Sequence, residues 1–366
     1  MIRLAQVIES FEADFLRVYG RTLLPSQRNA LRALKACRND FSARMQTQCT
    51  ACAATAYVPH SCGHRSCPHC QAHESQQWIE RQQAKQLPCD YFMLTFTVPA
   101  ELRPLVFQHP TVIYDLLSRC AWDTVNTFSH TDKRLQGTAG AMTVLHTHTR
   151  PLDFHPHVHL VMPAGAIHPT QRVWRTKNTK YLFNEKALAK VFRAKLLAGM
   201  ARAGLTLPPR YPEQWVAHCK RVGSGAKAIA YLGRYLYRGV IQEKDILVCD
   251  NGQVTYRYFH SKKKRWEKRT VTGVEFLRLV LQHVLPKGFR RARNFGFLHA
   301  NSKRLIALLH LTLRVIFTPA AIRKRPVLRC ACCGGEMTIV RARLKPHEYF
   351  QRPGITPVAA SQELAM

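Results

Sequence analysis

Four cysteines in two C-x2-C pairs most constrain how this chain folds. Cys49-Thr50-Ala51-Cys52 and Cys67-Pro68-His69-Cys70 are separated by residues 53–66. Two knuckles at this separation suit a tetrahedral structural zinc site, whose metal contributes folding energy directly. The ligand set that the spacing favours is Cys49, Cys52, Cys67 and Cys70, with Cys62 and His64 as alternative donors. A closed four-ligand site leaves no open position for chemistry, so this metal is structural. A third knuckle, Cys330-Ala331-Cys332-Cys333, stands alone and would need distant ligands such as His347. The scattered cysteines Cys37, Cys89, Cys120, Cys219 and Cys249 read as small apolar side chains in a reducing compartment.

Hydrophobic periodicity around these knuckles predicts an α+β chain. Residues 1–40 read as helical, with Leu4, Val7, Ile8, Phe11 and Phe15 at helical spacing. Residues 71–87 are polar and helix-favouring. Tyr91 to Val98 is a central strand, 111–129 an amphipathic helix, and Ala141 to His148 a second strand. A turn leads into His155-Pro156-His157-Val158-His159 and the apolar run after it. This order predicts a largely antiparallel central sheet flanked by helices. Alternation along the third strand puts His155, His157 and His159 on one face, where imidazoles share a cation readily.

Residues 185–204 read as a basic helix and 215–222 as a strand. A helix from about Ala226 places Lys227, Tyr231 and Tyr235 at successive i, i+4 positions on one face. Arg234 and Arg238 lie beside them, which makes that face a poor core. Beyond 246, Val254 to His260 alternates like a strand, and Lys262, Lys263, Lys264 and Arg265 form a basic turn. Val274 to Leu285 reads as a helix, Gly288 to Arg293 as a basic loop, and the tail from Pro353 as disordered. The domains predicted are 1–85 (helical N-terminus and zinc-binding module), 86–245 (catalytic domain) and 246–366 (basic C-terminal region).

Lys and Arg number 55 against 22 Asp and Glu, a net charge of +33. Such an excess spread over many segments calls for an anionic partner, nucleic acid before a membrane surface. There is no G-x4-G-K-[ST] loop, so no ATP-driven motor is expected. The first residues lack a signal-peptide pattern, and Leu305 to Ile316 is too short to span a bilayer. A soluble cytoplasmic, nucleoid-associated protein is expected. Tyrosine is a competent covalent nucleophile, and a cation polarises the phosphodiester it attacks. Paired histidines, paired tyrosines and a basic surface therefore read as a DNA strand-transfer enzyme. The rivals are a zinc-dependent nucleic-acid-binding protein without catalysis and a metal-dependent phosphodiester hydrolase without a covalent step.

The motifs resemble the two-tyrosine HUH transposases of the insertion sequence 91 family, the rolling-circle type. The resemblance rests on Cys49 to Gln71, Tyr91 to Pro99, Leu145-His146-Thr147, His155 to His159, Tyr231-Leu232-Gly233-Arg234-Tyr235 and His283 to Phe289, in that order. It implies an HUH endonuclease-like sheet in which His157 and His159 hold Mg or Mn, where imidazole chemistry alone would suggest zinc or another transition metal. It implies that Tyr231 and Tyr235 attack in turn, each forming a 5′-phosphotyrosine and freeing a 3′-OH. The substrates implied are single-stranded or locally melted element ends and target. A third metal ligand is expected, His146 in preference to His148, with His155 in reserve.

Overall fold

The computed structural model describes residues 1–39, 42–316 and 327–345. His347 and the tail from Pro353 lie outside the described residues. Helices α1 (Leu4–Tyr19) and α2 (Pro25–Lys35) open the chain. The apolar stripe of α1 buries Leu4, Val7, Ile8 and Phe15, and Pro25 begins α2, where its missing N–H costs nothing. A hairpin of β1 (Arg44–Cys49) and β2 (Thr55–Pro59) precedes α3 (Ala72–Gln83).

The central region runs β3 (Tyr91–Thr97), α4 (Arg103–Gln108), α5 (Pro110–Thr131), β4 (Thr138–His148) and β5 (Phe154–Pro163). It continues through β6 (Gly165–Ile167), β7 (Trp174–Thr176), α6 (Glu185–Arg202), β8 (Ala217–Arg221) and α7 (Ala226–Leu236). The last part holds β9 (Ile246–Asp250), β10 (Gln253–His260), β11 (Arg265–Thr272) and α8 (Gly273–Leu281). Then come β12 (Ala292–Gly296), α9 (Lys303–Thr312) and β13 (Met337–Leu344).

The central sheet has the order β7-β6-β4-β5-β3-β8, with β12 also paired to β4, and every pairing is antiparallel. Strand alternation gives it two apolar faces. Leu94, Phe96, Leu145, Val158 and Leu160 face α5 and α6, among Ile113, Leu117, Phe192 and Leu196. Met142, Val144 and Val161 face the other way, against Trp78 and Ile79 of α3 and Ile229 and Leu232 of α7. The α3–α7 contact depends on Gly233, because a Cβ there would overlap the Ile79 side chain. The molecule is therefore an α+β fold with helices on both faces of an antiparallel sheet.

The three sequence segments do not form separate cores. Leu4, Val7, Ile8 and Leu31 pack with Tyr256, Phe276 and Val280 from beyond residue 246. Strand β13 pairs with β1, and β12 belongs to the central sheet. The segment expected as a basic loop from Gly288 to Arg293 runs into that strand. Its five residues are all half-buried, so no alternation of buried and exposed positions marks it as a strand. Helix α8 stops at Leu281 and not at Leu285. Among the described residues, no helix is long and apolar enough to cross a membrane.

Candidate functional site

The register of β4 against β5 assembles three imidazoles. His146 stands directly opposite His157, and Val144 opposite His159. His146, His157 and His159 thus share the sheet face that α7 covers, and their ligating nitrogens all lie within 4.8 Å of one another. His148 sits beyond an irregularity in the register, opposite Phe154. His155 is drawn outward, where Arg103 donates to its Nδ1 at 2.7 Å. Burial keeps all three imidazoles neutral at physiological pH. It lowers His157 to about 3 and His159 to about 4, and holds His146 well below its ordinary value.

These residues fit a bound cation. His157 Nδ1–H donates to the carbonyl oxygen of His155 at 2.7 Å, which leaves the Nε2 lone pair free. His159 Nδ1 lies 3.0 Å from Thr95 Oγ1, on the adjoining strand β3. His146 is 2% exposed, and its Nε2 has no hydrogen-bond partner. A buried imidazole nitrogen without a partner, facing two others, has the chemistry of a metal ligand.

Helix α7 brings Tyr231 and Tyr235 over this cluster. It begins at Gly225, whose φ of +80° and contact with the Tyr91 ring both require glycine. Its apolar face, with Ile229, Leu232 and Leu236, is buried, so the tyrosine face turns along the sheet. The two phenols differ. Tyr235 stacks on His146, with ring centroids 3.3 Å apart and planes 8° from parallel. Its hydroxyl accepts from the Thr147 N–H at 3.2 Å and lies 3.0 Å from His148 Nδ1. The Tyr231 ring is 6.2 Å from that of His159 and 6.1 Å from that of His146. Tyr231 is 49% exposed, and its hydroxyl has no hydrogen bond among the described residues. Partial burial raises its pKa, with the neighbouring Tyr235 adding to the effect.

A cleft of about 700 Å³ opens beside these groups. Lys227, Arg234 and Arg238 line it, as does Arg150. Its far wall is the β10–β11 hairpin, where Phe259 meets Trp266 edge-on at 5.8 Å. Lys262, Lys263, Lys264 and Arg265 lie at the hairpin's turn, outside the cleft lining, and Lys263 and Arg265 pair with Glu267. Two groups that the sequence patterns do not single out also matter. The Arg291 guanidinium lies 4.4 Å from the Tyr235 ring centroid, and Trp266 is exposed in the cleft wall beneath Arg257. Their only sequence signal is the basic and aromatic interleaving of their segments.

The single four-cysteine site expected from Cys49, Cys52, Cys67 and Cys70 is corrected by the geometry. Cys67 and Cys70 cluster with Cys37 and Cys62, while Cys49 and Cys52 cluster with Cys330 and Cys333. The cause is the β1–β2 hairpin. Cys49 and Cys52 stand at its tip, and β2 carries the chain back toward its base, about 17 Å away for a strand of five residues. Cys37, expected as an isolated core cysteine, lies 3.5 Å from the sulfurs of both Cys67 and Cys70. The nearby basic groups are occupied internally. Arg65 donates to the carbonyls of Phe289 and Pro286, and His69 pairs with Glu243 at 2.8 Å, which raises its pKa.

Two family models match the chain in order, "Transposase zinc-binding domain" over residues 7–98 and "Putative transposase" over residues 140–305. The first spans the Cys37 cluster, and the second spans the histidines and both tyrosines. "Putative transposase y4qJ" of Sinorhizobium fredii is 29% identical over 318 residues, 78% of this chain and 79% of that protein. "Transposase for insertion sequence element IS801" of Pseudomonas savastanoi pv. phaseolicola is 29% identical over 326 residues, 80% of this chain and 77% of that one. Among solved structures, the conjugative relaxase TrwC in complex with mutant oriT DNA is similar over 34% of this chain and 49% of its own, with 17% identity and a TM-score of 0.27. TrwC with a 27-mer DNA is similar over 62% and 75%, with 13% identity and a TM-score of 0.26. At those scores the likeness to the relaxase carries no weight for this chain. Both family models and both relatives match this chain to transposases, with the zinc-binding segment ahead of the transposase segment.

Proposed function

We propose that this chain nicks and joins single-stranded DNA at its element's ends through Tyr231 and Tyr235, as an HUH-type transposase of the rolling-circle kind. The observation that carries the reading is the meeting of two tyrosines on α7 with three buried imidazoles on β4 and β5. His146, His157 and His159 are the groups that would hold the divalent cation. Bound there, Mg or Mn supplies Lewis-acid polarisation of the scissile phosphoryl oxygen. A site of neutral imidazoles suits Mn better than Mg.

The chain's own residues do the rest. A tyrosine oxygen bonds to phosphorus, the bond from phosphorus to the 3′ oxygen breaks, and that oxygen leaves as a 3′-OH. The product is a 5′-phosphotyrosine, which keeps the phosphodiester's energy and needs no ATP to be joined again. Tyr231, open to the cleft, is placed for the first attack. Tyr235 follows, since its hydroxyl must first leave the Thr147 N–H and His148 Nδ1. Lys227, Arg234, Arg238 and Arg150 meet the phosphates, and Phe259 and Trp266 offer faces for stacking bases.

The test is incubation of a single-stranded terminus oligonucleotide with protein and Mn. A covalent protein–DNA adduct that is lost in Tyr231→Phe/Tyr235→Phe supports the reading. Cleavage that survives both changes identifies a hydrolase without a covalent step, and binding without cleavage identifies a DNA-binding protein.

A further inference from the structure

The Cys49–Cys52 knuckle and the lone C-terminal knuckle lie face to face. Cys49 Sγ is 3.5 Å from Cys333 Sγ, and Cys52 Sγ is 3.7 Å from Cys330 Sγ and 3.5 Å from Cys333 Sγ. Tetrahedral zinc with bonds of about 2.3 Å holds its sulfurs about 3.8 Å apart, so these spacings match a ZnS4 site. None is near a disulfide bond, and all four thiols are free.

The two knuckles also have the same backbone. Cys49 N–H donates to the carbonyl of Ala54, and Ala53 N–H to that of Cys49. Cys330 N–H donates to the carbonyl of Gly335, and Gly334 N–H to that of Cys330, in the same i to i+5 and i+4 to i pattern. Each turn ends in a left-handed residue, Ala53 at φ 58° and Gly334 at φ 71°. Two segments 278 residues apart have folded into one half-site each. Cys332, between the C-terminal ligands, is exposed and stands outside the quartet.

We infer that Cys49, Cys52, Cys330 and Cys333 bind a second structural zinc ion, which clasps the C-terminal strand β13 onto the N-terminal hairpin. Half of this site lies outside the matched zinc-binding segment 7–98. The clasp answers a packing deficit. Strand β13 pairs with β1 from Cys49↔Met337 to Arg44↔Leu344, yet within β13 only Leu344 is buried. A three-stranded sheet with so little apolar burial needs another source of stability, and metal binding supplies it. The Cys37, Cys62, Cys67 and Cys70 cluster stays self-contained in the N-terminal segment.

The experiment counts zinc released by a mercurial reagent, which frees thiolate-held metal and leaves imidazole-held metal in place. The full chain should release two equivalents. Cys330→Ser/Cys333→Ser should release one, Cys37→Ser/Cys62→Ser one, and Cys332→Ser two. Hydrogen exchange supplies the second measurement: in Cys330→Ser/Cys333→Ser, residues 337–344 lose protection while α3 and α7 keep theirs. One equivalent from the full chain, two from Cys330→Ser/Cys333→Ser, or a loss in Cys332→Ser would overturn the assignment. The count is independent of the tyrosine chemistry, so it stands or falls without that proposal.

Discussion

Replacing each tyrosine by phenylalanine separates the two hydroxyls. Tyr235 must give up its bonds to Thr147 N–H and His148 Nδ1 before its oxygen is free to attack. At about 1 kcal/mol for each hydrogen bond, that costs about 2 kcal/mol. Tyr231 surrenders none. About 2 kcal/mol is a factor of about 30 in rate. With an oligonucleotide that carries one scissile site, Tyr231→Phe should therefore slow adduct formation about 30-fold, with Tyr235 left to make the first cut. Tyr235→Phe should slow it no more than about 3-fold. Stability should move the opposite way. Tyr235→Phe leaves a backbone N–H and an imidazole nitrogen unpaired and should cost about 1–3 kcal/mol. Tyr231→Phe, at a half-exposed position, should stay within about 0.5 kcal/mol. Denaturation midpoints and gel-resolved adduct yields on both variants make the comparison. An adduct abolished by Tyr235→Phe and retained in Tyr231→Phe would refute the order of attack.

His146→Ala should weaken Mn binding by at least about tenfold in calorimetric titration, because it removes one of three donors, whereas His155→Ala should leave it unchanged. DNA affinity should fall steeply with salt. Neutralising Lys227, Arg234 or Arg238 should reduce the slope of log K against log salt by about 0.7–0.9 each, and neutralising the hairpin-turn lysines should reduce it less; equal slopes for the two sets would exclude the cleft as the binding track. Acid should destabilise the fold through His283, whose Nε2–H donates to the Leu152 carbonyl while its buried Nδ1 has no partner. Burial lowers its pKa to about 4. The unfolded chain, with histidine near 6.5, binds more protons between those values, so stability drops as pH falls through that window, by about 3 kcal/mol for this residue. Denaturant midpoints at pH 7 and 4.5 should converge in His283→Asn relative to the parent, and an unchanged difference would contradict this assignment.

The sequence shows what depends on local periodicity and conceals what depends on register. A period of two on β5 puts His157 and His159 on one face without any knowledge of neighbouring strands. Spacing of i, i+4 on α7 does the same for Tyr231 and Tyr235. The choice of His146 over His148 is different, because it depends on how β4 is aligned against β5. The turn at residues 149–153 sets that alignment, and an irregularity after His146 sends His148 toward Phe154 and the Tyr235 hydroxyl. No pattern in the chain encodes that shift. Cysteine pairing fails for a related reason. C-x2-C spacing identifies a half-site, but a half-site is completed by whatever the fold carries to it. Here a hairpin of five to six residues per strand parts the two nearest knuckles and joins one of them to a segment at the far end of the chain. Basic residues divide in the same way. Composition predicts an anionic partner, yet Arg65 is spent on backbone carbonyls and His69 on Glu243. Only the assembled cleft shows which cations remain to meet a phosphate. Nearness in sequence is thus a sound guide within one strand or helix, and a poor one as soon as a site takes its groups from two.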